Sequence, residues 1–249
     1  MKLIRPLTHL PLLRNRIPSL EALLAPGQLK YLPVWYRSRR KDYLLRHRIP
    51  WITFDAARFL RQTLKDRPRL KVFEYGCGGS TLFWGSLRAT CISIEHDLDW
   101  IQRLEGWKAK LPDPAAISLR HIPPDPLMEV RPASVVPDLA DPDAYLSDWQ
   151  IFSGYTFRAY AAAIDAFPDG HFDVVLVDGQ ARPSCLKHAA PKVRPGGYLI
   201  LDNAEVERYL VQAGRFLGDY NLRAFVGLAP IDGARSQTNI YIRRGSVGG

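Results

Sequence analysis

Short apolar runs alternate with amphipathic stretches through most of this chain. Five runs are typical of buried strands: LKVFEY (70–75), TCISIEH (90–96), AISLRHI (116–122), FDVVLVDG (172–179) and YLILDN (198–203). Stretches with helical spacing of apolar residues lie at 53–65, 80–88, 98–111, 154–167, 183–193 and 205–218. Two further runs, 222–230 and 238–244, have no helix between them and predict a hairpin. We therefore expect an α/β, Rossmann-like sheet of seven mostly parallel strands, with helices on both faces and a C-terminal antiparallel hairpin.

The chain of 249 residues fits one large domain with an appendage. Residues 1–50 are rich in proline and arginine and predict an N-terminal extension with one or two short helices. The main domain is expected over 51–249. Within it, six prolines between residues 123 and 145 predict an irregular insertion at about 123–150, and RPGG (194–197) predicts a turn.

The positive charge is concentrated at the start of the chain. Residues 1–70 have a net charge of +12, whereas the remainder has −3, and YRSRRKDYLLRHR (36–48) is the most basic part. This segment predicts either a solvated helical face or a site for an anionic surface or partner. No known nucleic-acid motif is present. Three widely spaced cysteines and the lack of 18 consecutive apolar residues favour a cytoplasmic protein, with peripheral membrane attachment left open.

An acidic residue stands at the end of four predicted strands: Glu74, Glu95, Asp178 and Asp202. Parallel strands bring their carboxyl ends to one edge of a sheet, and ligands of such folds bind outside that edge. The four acids are therefore the first candidates for a functional site.

Glycines follow the first of these acids in VFEYGCGGST (72–81). A glycine turn between a strand and a helix lets backbone N–H groups approach an anionic or polar ligand. Glu95 follows Gly76 by nineteen residues, close to the spacing of ~20 at which a carboxylate accepts hydrogen bonds from a ribose. These features together indicate a nucleotide site. The alternative for Glu74 is a local cap of backbone N–H groups.

The series Glu74-x-Gly76-x-Gly78-x-Ser80 resembles motif I of class I S-adenosylmethionine (SAM) methyltransferases, with serine in place of the last glycine. SIEHD (93–97) is similar to the acidic motif that follows it, and the resemblance extends over about 70–244, most closely to bacterial small-molecule enzymes. It implies SAM as cofactor, with Glu74 near the methionine ammonium and Glu95 on the ribose. The cofactor residues it implies are Glu74, Gly76, Cys77, Gly78, Ser80, Thr81, Glu95 and His96.

Asp178, Asp202 and Asn203 resemble the magnesium ligands of catechol O-methyltransferase and related cation-dependent enzymes. Mg²⁺ bound there would lower the pKa of an acceptor hydroxyl and orient it. The pattern departs from that group at Ala181, where the catechol enzymes have lysine. Two alternatives remain: Asp178 is itself the general base without a metal, or Asp202 and Asn203 cap the following segment. Arg182 would then bind an acidic substrate group.

The function that follows from the resemblance is SAM-dependent methylation, with an oxygen of a small molecule as acceptor and Asp178 as the catalytic residue. Trp149, Tyr155, Phe157 and Tyr160 are candidates for the acceptor pocket, although helix packing is the expected role of Phe157. Two alternatives are an RNA or protein methyltransferase, and a non-catalytic protein that docks on a membrane or partner and keeps the SAM fold. The sequence indicates neither the acceptor nor the oligomeric state.

Overall fold

The computed structural model describes residues 18–127 and 138–245. A seven-stranded sheet forms its centre, with the order β3-β2-β1-β4-β5-β7-β6. The strands are β1 (Lys71–Tyr75), β2 (Thr90–Glu95), β3 (Ile117–His121), β4 (Phe172–Val177), β5 (Val193–Leu201), β6 (Tyr220–Gly227) and β7 (Ser236–Arg243). Strands β1 to β5 pair in parallel, and β7 pairs antiparallel with both β5 and β6. The predicted α/β Rossmann-like sheet and its C-terminal hairpin are confirmed.

Helices cover both faces of this sheet. They are α1 (Leu20–Leu24), α2 (Leu32–Ser38), α3 (Tyr43–His47), α4 (Phe54–Leu64), α5 (Gly79–Ser86), α6 (Leu98–Lys108), α7 (Arg158–Ala162) and α8 (Arg182–Ala189). Alternate residues of β4 face opposite cores: Val174 and Leu176 pack with α4 and α5, whereas Val175 and Val177 pack with α7 and α8. Among the described residues, no helix is long and apolar enough to cross a membrane.

The part of the N-terminal segment that the structure describes packs on the main domain. Trp35 of α2 and Ala22 of α1 form a small core with Phe54 of α4 and Leu228, which follows β6. The indole Nε1 of Trp35 donates to the carbonyl of Asp232 at 2.6 Å. The extension and domain limits at residue 50 stay predictions.

Two local predictions were wrong. The RPGG turn lies inside β5, where a register shift opposite Phe172 and Val174 admits Gly196 at φ +74°. The helix expected over 205–218 consists of two 3₁₀ turns, Glu207–Tyr209 and Ala213–Arg215. The apolar side chains Val206, Tyr209, Ala213 and Phe216 are spaced by three, four and three residues, which is the spacing of an α-helix, so the pattern gave no warning of the 3₁₀ turns.

The insertion predicted at about 123–150 is irregular where it is described. A two-residue ladder joins Asp125–Pro126 to Tyr155–Thr156, and turns occupy most of 138–149. Residues 128–137 lie outside the described residues.

Gly79, the first residue of α5, sets how closely the N-terminal segment approaches the sheet. A Cβ atom at this position would stand 2.0 Å from the carbonyl oxygen of Ile49 and 3.5 Å from the Cβ of Leu44. Because the obstacle is backbone, it cannot rotate away as a side chain could. The segment that connects α3 to α4 therefore lies directly on the start of α5.

We expect Gly79→Ala to lower the free energy of unfolding by about 1–3 kcal/mol, because the added methyl group displaces the Ile49 backbone. Gly106→Ala is the matched control, since Gly106 lies in α6 with open space around it. That control should raise stability by about 0.5–1 kcal/mol through helix propensity. Urea unfolding measures both variants. Equal stability of Gly79→Ala and the parent would contradict the close contact.

Candidate active site

The carboxyl ends of β1, β2, β4 and β5 meet at one edge of the sheet, as the register of the parallel strands requires. Glu74 and Glu95 lie in the last two positions of β1 and β2, and Asp178 and Asp202 follow β4 and β5 immediately. The structure thus brings together the four acids that the sequence singled out. Their surroundings differ, and these differences determine what each can do.

Glu74 is fully buried beneath the glycine turn. Its Oε2 accepts hydrogen bonds from Thr81 Oγ1 at 2.5 Å and from Ser93 Oγ at 2.6 Å, whereas Oε1 has no partner among the described residues. Burial raises the pKa of this carboxyl to about 7, even though neighbouring hydroxyls favour the ionised form. A buried carboxylate oxygen without a donor is a group that a ligand N–H could satisfy.

The glycine turn after β1 packs against the residues that follow β4. Gly76 has φ +87°, and a Cβ atom there would stand 3.0 Å from the carbonyl oxygen of Asp178. The N–H of Gly78 donates to Thr81 Oγ1 at 2.9 Å, so the side chain that binds Glu74 also caps α5. Ser80 is buried in the first turn of this helix. The backbone therefore occupies the space that a side chain would need.

Glu95 links the end of β2 to the glycine turn. Its Oε2 accepts from the N–H of Cys77 at 3.2 Å, and its Oε1 accepts from the N–H groups of His96 and Asp97 at 2.7 and 3.0 Å. The His96 Nδ1 lies 2.6 Å from the same Oε1. The carboxylate is only 6% exposed and is fixed by three backbone donors.

Trp100 is a neighbour of the turn that sequence reasoning did not select. Its indole Nε1 donates to the carbonyl of Cys77 at 2.7 Å. The ring lies 3.9 Å from the position a Cβ would take at Gly78. Its place in the first turn of α6, two residues after Leu98, gave no signal other than that of a packed helical aromatic.

Arg182 occupies the position between the three residues predicted to hold magnesium. Its Nη2 donates to Asp178 Oδ1 at 3.1 Å, and its Nη1 donates to Asn203 Oδ1 and to the Asp202 carbonyl, both at 2.7 Å. Its Nε donates to the Gly179 carbonyl at 3.1 Å. The guanidinium also lies 5.3 Å from the centre of the Tyr209 ring.

These residues do not fit a magnesium ion. A guanidinium already uses an oxygen of Asp178 and the side-chain oxygen of Asn203, while Asp202 Oδ1 accepts from Thr238 Oγ1 at 2.6 Å. In the part of the chain that the structure describes, no group of three or more His, Cys, Asp or Glu side chains is placed to hold a metal. The sequence could not reveal this arrangement, because Arg182 lies four residues after Asp178 but also reaches the end of another strand.

The two acids around Arg182 both have a raised pKa. Burial and then repulsion from Asp202 raise the pKa of Asp178 well above the ordinary range, although Arg182 acts in the opposite sense. Burial likewise raises the pKa of Asp202 to about 6. Asp178 retains 19% exposure of its side chain, so it is the acid at this edge that a substrate can reach.

The hydroxyl of Tyr160, a residue of α7, lies next to Gly179, which in turn packs against Gly76. A Cβ atom on Gly179 would stand 2.1 Å from its hydroxyl oxygen and 3.1 Å from the Gly76 nitrogen. The hydroxyl is buried and has no hydrogen-bond partner among the described residues. Phe157 is buried beside it in the predicted packing role, whereas Trp149 and Tyr155 are exposed by 55% and 39%.

Residues 143–152, which we call the strap, cross the same edge of the sheet. Ser147 Oγ donates to Gln180 Oε1 at 2.6 Å, two residues after Asp178. Asp148 Oδ2 accepts from the Tyr209 hydroxyl at 2.6 Å, and the ring of Phe152 lies 5.1 Å from that of His96. The strap therefore contacts residues that follow β2, β4 and β5, above the space enclosed by the four acids.

Neither a scan against protein-family models nor a search of curated proteins gives a match. Solved structures do match. The O-methyltransferase TomG of Streptomyces achromogenes, in complex with SAM, has 13% identity and a TM-score of 0.56 over 88% of this chain and 99% of its own. An O-methyltransferase of Bacillus cereus, in complex with SAH, has 12% identity and a TM-score of 0.56 over 87% and 96%. At such identities the likeness is one of fold, and the chain has the Rossmann-like fold found in these methyltransferases.

Proposed function

We propose that this protein is a SAM-dependent methyltransferase that transfers the methyl group to an oxygen of a small molecule. The observation that supports it best is the 3.2 Å hydrogen bond between the Cys77 N–H and Glu95. It joins the glycine turn to a carboxylate at the neighbouring strand end, so that the groups suited to an amino-acid moiety and to a ribose lie side by side. Two solved structures of similar fold are O-methyltransferases in complex with SAM or SAH.

The residues at the edge of the sheet fit the cofactor. Glu74 has an unpartnered buried oxygen for an ammonium group, and at Gly76, with its positive φ, the Asp178 carbonyl leaves little room for a side chain. Ser80 and Thr81 lie in the first turn of α5, Glu95 at the end of β2 accepts from the Cys77 N–H, and His96 follows Glu95 with its Nδ1 on the same carboxylate. When bound, SAM supplies an electrophilic methyl group on a positively charged sulfur.

Asp178 is the proposed general base. It is the partly exposed acid of the edge, and because its pKa is raised, its ionised form is a stronger base toward an acceptor hydroxyl than an ordinary carboxylate. Arg182 fixes its Oδ1 and compensates the charge of the buried acids. The chain's remaining task is alignment, since placing the acceptor oxygen against the methyl carbon accounts for a large part of the barrier reduction.

Calorimetry with SAM tests the cofactor assignment directly. We expect Glu95→Gln to weaken SAM binding about 10- to 100-fold, because the amide loses a charged acceptor for the ribose hydroxyls. Glu105→Gln is the matched control on the surface of α6 and should bind as the parent does. If the parent protein shows no saturable heat with SAM, the proposed function is wrong.

If Asp178 is the general base, its replacement should lower the rate of methyl transfer without changing the affinity for SAM. Asp178→Asn should reduce kcat about 10²- to 10⁴-fold while the affinity for SAM changes little, because the amide keeps the contact with Arg182 but cannot take a proton. Methyl transfer from labelled SAM to a panel of phenols and hydroxy acids provides the rate. An acceptor that is methylated equally fast by the variant would exclude Asp178 as the base.

We expect methyl transfer to be independent of divalent cations, because Arg182 already binds the oxygens that magnesium would need. Rates with EDTA and with added Mg²⁺ should agree. Arg182→Lys is the informative variant, since lysine retains the charge but not the planar set of donors. Activity that disappears with EDTA and returns with Mg²⁺ would restore the metal hypothesis.

Tyr160 is expected to contribute a hydrogen bond in the complex with cofactor. Tyr160→Phe should weaken SAM binding up to about 10-fold without loss of stability, because the hydroxyl has no protein partner to lose. Tyr75→Phe is its control: that hydroxyl donates to the Ala161 carbonyl at 2.7 Å, so its removal should cost stability and leave SAM affinity unchanged. Unchanged SAM affinity of Tyr160→Phe would assign its hydroxyl to packing alone.

A further inference from the structure

A cavity lies outside the sheet edge that holds the candidate active site. It has a volume of about 410 Å³ and is formed by one face of α4, by β6 and by the chain between α1 and α2. This volume is in the range of small-molecule sites, ~300–1,000 Å³. The side chains that matter for its chemistry are those of Lys30, Asp55, Arg58, Phe59, Gln62, Arg223 and Phe225. We call it the α4–β6 cleft.

The cleft has three cationic side chains, Lys30, Arg58 and Arg223, against one carboxylate. That carboxylate, Asp55, is already bound: its oxygens accept from the Tyr31 hydroxyl at 2.5 Å and from Gln28 Nε2 at 2.7 Å, and Lys30 Nζ lies at 3.4 Å. Although burial alone would raise the pKa of Asp55, these donors lower it, so the group stays ionised and satisfied. Its charge offsets that of Lys30.

The two arginines have no carboxylate partner within 4.0 Å in the described part of the chain. Arg58 lies on the exposed side of α4 beside the Tyr31 hydroxyl, which donates its proton to Asp55 and whose oxygen can accept from the guanidinium. Arg223 projects from β6, and its guanidinium lies 4.5 Å from the centre of the Phe59 ring and 5.4 Å from that of Phe225. Cation–π contact with two rings restricts the position of Arg223 while leaving its N–H groups available.

An arginine held in this way loses less conformational freedom on binding than a solvated one. Guanidinium groups bind carboxylate and phosphate oxygens in pairs of parallel hydrogen bonds. Gln62, one helical turn from Arg58 on the same wall, adds a neutral amide donor. The chemistry of the cleft is therefore that of an oxyanion site.

The cleft is separate from the methyl-transfer site in the fold. β6 is the last strand of the sheet and stands three strands away from β4, which corresponds to about 14 Å at the usual strand spacing. None of the seven side chains named for the cleft belongs to the glycine turn, the four acids or the strap. A ligand in the cleft would leave Asp178 free.

We propose that the α4–β6 cleft is a second ligand site, for a small molecule that bears a phosphate-like oxyanion bound between Arg58 and Arg223. This inference does not depend on the proposed methyl transfer. It accounts for two arginines without a carboxylate partner among the described residues, around a cavity whose lining acid, Asp55, is neutralised by its own neighbours.

Isothermal titration with inorganic pyrophosphate, in a buffer without phosphate or sulfate, tests the proposal. We expect saturable binding to the full-length protein and a weakening of about 10- to 100-fold in the double variant Arg58→Gln, Arg223→Gln, since each substitution removes a charged hydrogen-bond donor. The control is the double variant Lys41→Gln, Arg46→Gln, which removes the same amount of charge. Arg46 lies in α3 and Lys41 just before it, and both are exposed and outside the cleft. The control should bind pyrophosphate as the parent does.

Thermal unfolding of each variant separates loss of the site from loss of the fold. If the double variant is destabilised, Arg58→Lys, which keeps the charge but presents fewer donors, should still show weakened binding in a folded protein. No saturable binding to the parent would overturn the proposal. Equal weakening in the control would do so as well, because it would assign the effect to net charge.

Discussion

The guanidinium of Arg182 is the interaction on which the arrangement of the site depends. Four strand ends place Glu74, Glu95, Asp178 and Asp202 at one edge, where burial makes every additional negative charge costly. A cation that donates to the ends of both β4 and β5 offsets this repulsion and fixes two loops at once. The guanidinium can be buried because it donates four hydrogen bonds, to Asp178, Asn203 and the carbonyls of Gly179 and Asp202.

A fixed guanidinium and a bound metal ion are different solutions to the same electrostatic problem. The ion would need free oxygens and would occupy the site only as far as its concentration allows, whereas Arg182 is always present and always charged. The ion could coordinate the acceptor oxygen itself. Under the proposed function, activation of the acceptor falls to Asp178 as a base, and burial together with the neighbouring acids raises the pKa of that carboxyl. The charge that stabilises the edge and the base that would do chemistry there are thus parts of one network.

Much of this fold could be predicted from the sequence, because buried parallel strands are continuous apolar runs and their order along the chain is simple. Glu74 and Glu95 could be predicted for the same reason, since each stands at a strand end and a glycine turn marks the first. The prediction failed where backbone geometry depends on distant partners. RPGG continues β5 because a register shift accommodates it, and 205–218 winds as 3₁₀ turns.

The role of Arg182 was beyond the sequence for a related reason. The sequence suggested an acidic substrate group as the partner of Arg182, and no local pattern shows that its nitrogens reach Asp178, the Asp202 carbonyl and Asn203 instead. The strap is a similar case, because prolines predict irregularity without saying where the chain crosses. Its contacts with Gln180 and Tyr209 place it over the four acids. The strap is also held by apolar packing, because Tyr145 belongs to the core and Phe152 packs against it. Under the proposed function, an acceptor would reach Asp178 past this segment.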